Sequence, residues 1–468
     1  MNSLATSMTP TWTYECPVHI ETLVSGAESI RFRAEQPQLP LHTMQQVHDV
    51  LVNCSSLKSL KLRVTFLGCT DQPDRYNFPF EFPRGSHYPS KLEILHLDGY
   101  DFEDREWMKV QPPKASSFYS LIMPRWITEF HDWYRSNRAT KYYEWKELPD
   151  HQKHKSNLDL WIEAMDFSHI QELGLRTIRG AGLVTIRLPP LLKSLKSLVI
   201  RGHWARDFIL ALPGNTLKDL SWVSSCNCES QSVIDVIRHH GQSLKSLERR
   251  QPETSYERRK VFTPEQLITL SNIAPNLETL SIDLNRDGAW PVQELKTIAQ
   301  NFPNLTHLKL YLELESEARR QRESFKWSEG WMGLSLDDPP YIDNMARPLL
   351  DKESAMKIFK LLSDEKIGKE FNEVNFFAGD WERKSDIGMY EADWLEYRNS
   401  WATCKVSMEN FQGGAQKSVT CEGKDTKVIA SDNSWMYEPS HVTAPHQDGL
   451  EDAEIEEELR RLQEEMAM

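Results

Sequence analysis

Several short stretches hold residues of the types that carry chemistry. "GGAQKS" (Gly413 to Ser418) has the Gly, Lys and Ser of a loop that cradles phosphate on backbone N–H groups, but Gln416 stands where a glycine must precede Lys417. "GAGLVT" (Gly180 to Thr185) approaches a dinucleotide fingerprint, yet Thr185 replaces its last glycine, and a turn between repeated units accounts for it better. "GLSLD" around Ser335 lacks the second glycine of a nucleophile elbow. Cys226-Asn227-Cys228 and His151-x-x-His154 could each give a metal two ligands; a closed zinc site needs four, and no second pair stands at the usual spacing. The expectation is no catalytic residue, no metal and no cofactor, so that any function lies in binding.

Charge narrows the partners. The chain has 468 residues and a net charge of -14, the opposite of the basic footprint that nucleic acid or an anionic membrane requires. The basic clusters "RRQPETSYERRK" (Arg249 to Lys260) and "EARRQRES" (Glu317 to Ser324) are interrupted by Glu and read as solvated loops. Seven scattered cysteines read as a reduced set rather than a disulfide framework. No apolar run approaches the roughly 18 residues that span a bilayer. A cytoplasmic or nuclear protein with protein partners is expected.

The elements that must position a binding surface are repeated. The template L-x-x-L-x-L occurs as Leu57/Leu60/Leu62, Leu92/Leu95/Leu97, Ile170/Leu173/Leu175, Leu195/Leu198/Ile200, Leu277/Leu280/Ile282 and Leu305/Leu308/Leu310. Weaker copies are Ala27/Ile30/Phe32, Leu217/Leu220/Trp222, Phe371/Val374/Phe376, and Leu244/Leu247, where Arg249 replaces the last apolar residue. The last two template positions lie two apart, hence on one face of a short strand. Between the strands the apolar period becomes helical. In "TPEQLITLSNIAPN", Thr263 and Gln266 form a capping box around Pro264, and Leu267, Leu270 and Ile273 line one face. In "PVQELKTIAQNFPN", Pro291 opens a helix striped by Leu295, Ile298, Ala299 and Phe302. One strand plus one helix cannot bury its apolar faces alone, so neighbouring units must stack. The strands are then parallel, because each return passes through a helix. The fold class read from this pattern is an α/β solenoid with a parallel sheet on its concave side and helices on the convex side.

These residues resemble the leucine-rich repeat family, and specifically the irregular repeats of fungal F-box and leucine-rich-repeat proteins. The family's Asn after the strand stands in register once, as Asn285. The resemblance implies a horseshoe that recognises other proteins. Its alternative implication is an F-box-like substrate receptor of a cullin-type ubiquitin ligase, reached through a Skp-type adaptor, although the F-box module itself is not evident ahead of the repeats.

The division of the chain follows. Residues 1–26 read as an N-terminal cap or tail and 27–380 as the solenoid, with insertions at about 101–157 and 313–352. Residues 381–430 read as a C-terminal cap or degenerate repeat, 431–449 as a linker and 450–468 as an acidic helical tail. The first insertion gathers aromatics, among them Trp126, Trp133 and Trp145, the residue types that dominate interface hot spots. On the solenoid itself, the residues pointing off the concave face include Lys61 and Arg63, His96 and Asp98, Gly174 and Arg176, Val199 and Arg201, Ser281 and Asp283, and Lys309 and Tyr311. Arg63, Arg176 and Arg201 occupy equivalent positions, which permits a local basic stripe on an acidic protein. With Asp283, Tyr311 and the three tryptophans they are the candidate binding residues.

Overall fold

A computed structural model describes residues 16–25, 44–65, 87–89, 91–103, 155–224, 230–251, 258–286, 288–313, 316, 346–378, 400–411 and 414–424. Within them the chain is α/β. Twelve strands form a single open sheet in sequence order, β1 (His19–Ser25), β2 (Ser59–Thr65), β3 (Ile94–Asp98), β4 (Glu172–Arg176), β5 (Ser197–Arg201), β6 (Asp219–Val223), β7 (Ser246–Arg250), β8 (Thr279–Leu284), β9 (His307–Leu312), β10 (Glu373–Ala378), β11 (Ser400–Phe411) and β12 (Gly414–Lys424). Neighbours from β1 to β10 pair parallel. The last three strands pair antiparallel, so the sheet is mostly rather than wholly parallel.

Helices alternate with these strands: α1 (Met44–Asn53), α2 (Asn157–Ala164), α3 (Ala181–Arg187), α4 (Ala205–Ala211), α5 (Ser230–His240), α6 (Pro264–Ile273), α7 (Val292–Asn301) and α8 (Lys352–Asp364). Their boundaries follow local chemistry. Thr263 accepts from the Gln266 N–H while the Gln266 side chain returns to the Thr263 N–H. The same reciprocal cap opens α2 at Ser156 and Asp159 and α8 at Asp351 and Ser354. A side-chain cap contributes about 1 kcal/mol in each case. α2 has no counterpart in the sequence reading, whose first insertion ends at about the first residue of this helix, Asn157.

The template leucines stack as ladders. Leu247, Leu280 and Leu308 face one another across β7, β8 and β9; all are fully buried in one core with Leu267, Leu270, Leu295 and Ile298 of the helices. At about 1.5–3 kcal/mol per fully buried leucine, this shared apolar layer is the main term holding neighbouring units together.

Two readings change here, the start of the sheet and the state of the cysteines. β1 lies within residues 1–26, so the sheet begins before Ala27, and the Ala27/Ile30/Phe32 copy falls outside the described residues. Ile20 is buried while Glu21 is exposed, the alternation of a half-buried strand. Residues 400–424, read as a cap or degenerate repeat, form an antiparallel hairpin that adds to the β10 edge. Of the insertions, residues 104–154, 314–315 and 317–345, with Trp126, Trp133 and Trp145, lie outside the described residues, as do the linker and tail. Lastly, Cys16–Cys54 and Cys404–Cys421 are disulfides. The second joins residues directly opposite one another on β11 and β12, a proximity that depends on strand register and not on sequence spacing. Alkylation of denatured protein without reductant, followed by peptide mapping, is expected to leave these four thiols unlabelled and to label them after reduction.

Among the described residues, no helix is long and apolar enough to cross a membrane. α4 and α5 are tied through His240, fully buried, whose Nε2–H donates to the Ile209 carbonyl at 3.2 Å. Burial pushes its imidazole down to about 4, with His239 beside it adding to the effect. A histidine depressed in the folded state contributes stability that is fully present above its ordinary pKa of about 6.5 and is lost as pH falls toward 4. His240→Gln is expected to lose less melting temperature than the parent between pH 6.5 and 4.5, as calorimetry would measure.

Candidate functional site

The sheet face turned away from the apolar ladders carries the polar residues of each strand. Its outermost register runs from Arg63 to Asp98 to Arg176. Arg201 follows Ile200, the partner of Leu175, and is itself paired with Val223. The expected equivalence of Arg63, Arg176 and Arg201 is therefore a shared register, and Asp98 interrupts it. Because β3 pairs directly with β4, the insertion between them does not part the two halves of the row. Arg63 Nε lies 3.9 Å from Asp98 Oδ2, with the side chains 32% and 33% exposed. Arg176 and Arg201 are likewise half-buried.

One register inward, His96 Nε2 lies 2.8 Å from Glu172 Oε1. The ring crosses Gly174, where an added Cβ would come within 2.6 Å of His96 Cγ, so the glycine is needed for this close approach. Burial pushes the His96 imidazole down, against the pull of Glu172.

Beyond β6 the outermost register of the same face is buried, while Lys309, one register inward on β9, stays exposed. Val223 pairs with Arg250, Asp283 with Tyr311 and Tyr311 with Phe377, and Arg250, Asp283 and Tyr311 are buried. The Asp283 carboxylate accepts from the Gln251 N–H at 2.6 Å and from Arg259 Nη1 at 3.0 Å, with Arg250 Nε at 4.0 Å. Arg250 lies 3.4 Å over the Tyr311 ring, which stacks on Phe377. Arg259 also donates to the carbonyls of Leu284 and Tyr311. Beside it Arg258 grips the buried Glu313 through two bonds, at 2.7 and 3.1 Å, and Glu313 accepts from the Arg286 N–H at 2.7 Å. Residues 258–260 thus strap the ends of β8 and β9.

Asp283 and Tyr311, expected on an open surface, are interior members of this cluster. Asp283 is the counter-charge of the guanidiniums around it, and Tyr311 is covered on one side by Arg250 and on the other by Phe377. Arg249, Arg250 and Arg259, expected in a solvated loop, are buried. The sequence signal was Arg249, the one charged residue at the third template position; its guanidinium lies 4.8 Å over the Trp222 ring. Burial pushes it down to about 10, opposed by the charge of Asp283.

No protein-family model matches this chain, and no curated protein matches it. Gly414 to Ser418 of "GGAQKS" lie in β12, extended against β11, which is no phosphate loop. "GAGLVT", expected to be a turn between units, is instead helical: Gly180, at φ +80°, is the N-cap of α3, and Ala181 to Thr185 form its first turns. Ser335, Cys226, Cys228, His151 and His154 lie outside the described residues.

Proposed function

We propose that the chain is a non-enzymatic interaction protein, a leucine-rich-repeat-type solenoid that presents the open half of its sheet face, from β2 to β6, to another protein. The observation that carries this reading is the half-exposed row of Arg63, Asp98, Arg176 and Arg201 in shared register. Fixed strands hold always-charged donors in a line, and guanidiniums match carboxylates in two-bond geometry. The stacked leucine ladders and the single Asn285 at the family's position support the repeat assignment. Burial of Arg250, Asp283 and Tyr311 in the outermost register beyond β6 favours the earlier strands as the recognition half.

Crosslinking and mass spectrometry on the native protein test this. Lys61, on the open half, is expected to crosslink to a partner, and Lys309, on β9 beyond the closed cluster, is not. Crosslinks confined to the helices would overturn the reading, whereas a Skp-type adaptor and cullin among the captured partners would extend it to ubiquitination. Reversing Arg176 and Arg201 together to Glu is expected to weaken capture about tenfold or more and to reduce its salt dependence. The melting temperature is expected to fall modestly, because both side chains are half-buried on the sheet face, and the parent and variant are compared below both transitions. Equal capture by the double variant at low and moderate salt would place recognition elsewhere.

A further inference from the structure

At the C-terminal ends of the strands, backbone donors can be accounted for one by one. The N–H that follows β3, at Gly99, donates to the Arg176 carbonyl at 3.1 Å; that after β5, at Gly202, donates to Val223 at 3.1 Å; and that after β6, at Ser224, donates to Arg250 at 3.0 Å. Each extends strand pairing by one step. Two strands depart from the pattern. Residue pairing between β7 and β8 stops at Arg249 and Ile282, and between β4 and β5 at Leu175 and Ile200. In the first gap the Gln251 N–H takes the carboxylate of Asp283, flanked by Arg250 and Arg259. In the second the corresponding donor is the Thr177 N–H, which has no hydrogen-bond partner among the described residues.

The two gaps are built alike. Arg176 precedes the Thr177 N–H as Arg250 precedes that of Gln251. Where β8 supplies Asp283, β5 supplies Arg201, so the strand pair brings a cation and no carboxylate. Arg179 stands exposed three residues after Arg176, and neither of these two guanidiniums makes a hydrogen bond or ion pair among the described residues. Asp98 is engaged with Arg63, Glu172 with His96, and Asp101 with the Glu103 N–H at 3.0 Å. Thr177 holds φ +49°, a left-handed conformation that β-branched residues rarely adopt. Left-handed turns of this kind direct backbone N–H groups toward anions.

We propose that the notch between β4 and β5 is a carboxylate-binding subsite, formed by the Thr177 N–H with Arg176 and Arg179, and that its ligand is an Asp or Glu side chain in an acidic segment of a partner protein. The inference rests on the interaction reading above and names the chemistry of the partner. Asp283 shows inside the same molecule how such a gap holds a carboxylate.

The test uses the full chain and a fluorescein-labelled hexaglutamate peptide, with hexaglutamine as control, in anisotropy titrations at about 50 mM salt, where screening is modest. Saturable binding of hexaglutamate alone is expected, weakened about fivefold or more in Arg176→Gln and further in Arg176→Gln/Arg179→Gln. Arg238→Gln, the same charge change on α5, is expected to bind as the parent does. In 15N-labelled parent protein the Thr177 amide, identified by its displacement in Thr177→Gly, should move on titration; this decides the matter if the arginine variants do not fold. Parent-like binding by the double variant, equal loss in Arg238→Gln, or an unmoved Thr177 amide overturns the subsite. Binding of a phosphoserine peptide in place of hexaglutamate overturns its carboxylate assignment. If the subsite fails while crosslinks still map to the open face, the interaction reading stands without it.

Discussion

Asp283→Ala is expected to destabilise the fold by about 3–5 kcal/mol, and Arg249→Met to leave stability unchanged or raise it by about 1–4 kcal/mol. The two residues are buried on opposite faces of the sheet, since Arg249 pairs with Ile282 and Asp283 follows it. Asp283 is the carboxylate that Gln251, Arg259 and Arg250 all face. Burial pushes its carboxyl up, and those guanidiniums and the N–H pull the other way. Removing it takes the carboxylate from buried Arg259 and leaves Arg250 with Glu248, whose Oε1 lies 3.8 Å from Arg250 Nη1, an expensive arrangement in a low-dielectric interior. Arg249 has no carboxylate within ion-pair distance among the described residues. It occupies an apolar ladder position between Trp222 and Ile282, and methionine keeps much of its volume without the charge. Urea denaturation of both variants separates the cases through their midpoints at constant slope. An Asp283→Ala midpoint within about 1 kcal/mol of the parent would show that the cluster does not hold the ends of β7 to β9 together.

The contrast explains what was legible in the sequence. Alternation at period two placed Leu280, Ile282, Leu308 and Leu310 on the buried face. The capping signatures at Thr263/Gln266 placed the start of α6, because both signals are local and each residue votes with its neighbours. The Arg63, Arg176 and Arg201 row followed from the same alternation once the copies were aligned. What local pattern could not show was which charges pair across distance. Arg259 reaches Asp283 and Tyr311 because the chain after β7 folds back over strands that come later, so a stretch that reads as solvated on its own charge pattern is interior. Cys404 and Cys421 pose the same difficulty, since only the register of β11 against β12 sets them face to face. The β4 notch was invisible for a further reason: it is a missing backbone pairing, and sequence templates describe side chains.

Leu280→Asp is expected to remove about 5 kcal/mol or more, comparable with the whole stability of an ordinary domain. Leu280 is fully buried and paired in register with Leu247 on one side and Leu308 on the other. The substitution gives up the burial of a leucine, worth about 1.5–3 kcal/mol. It also sets a carboxyl without polar partners in an apolar layer, at a further roughly 2–7 kcal/mol even if it protonates. Lys309→Asp provides the contrast. Lys309 is exposed on β9, one residue from Leu308 and on the opposite face of the sheet, so its change should stay within about 0.5 kcal/mol. A shift of one residue in register would exchange the two outcomes. Hydrogen exchange gives the sharper measurement. Because each unit is buried mainly by its sequence neighbours, loss of protection in Leu280→Asp should centre on β7, β8 and β9 and decline toward β2 if any fold survives. A soluble Leu280→Asp variant with parent-like protection throughout β7 to β9 would show that the ladder does not carry the core.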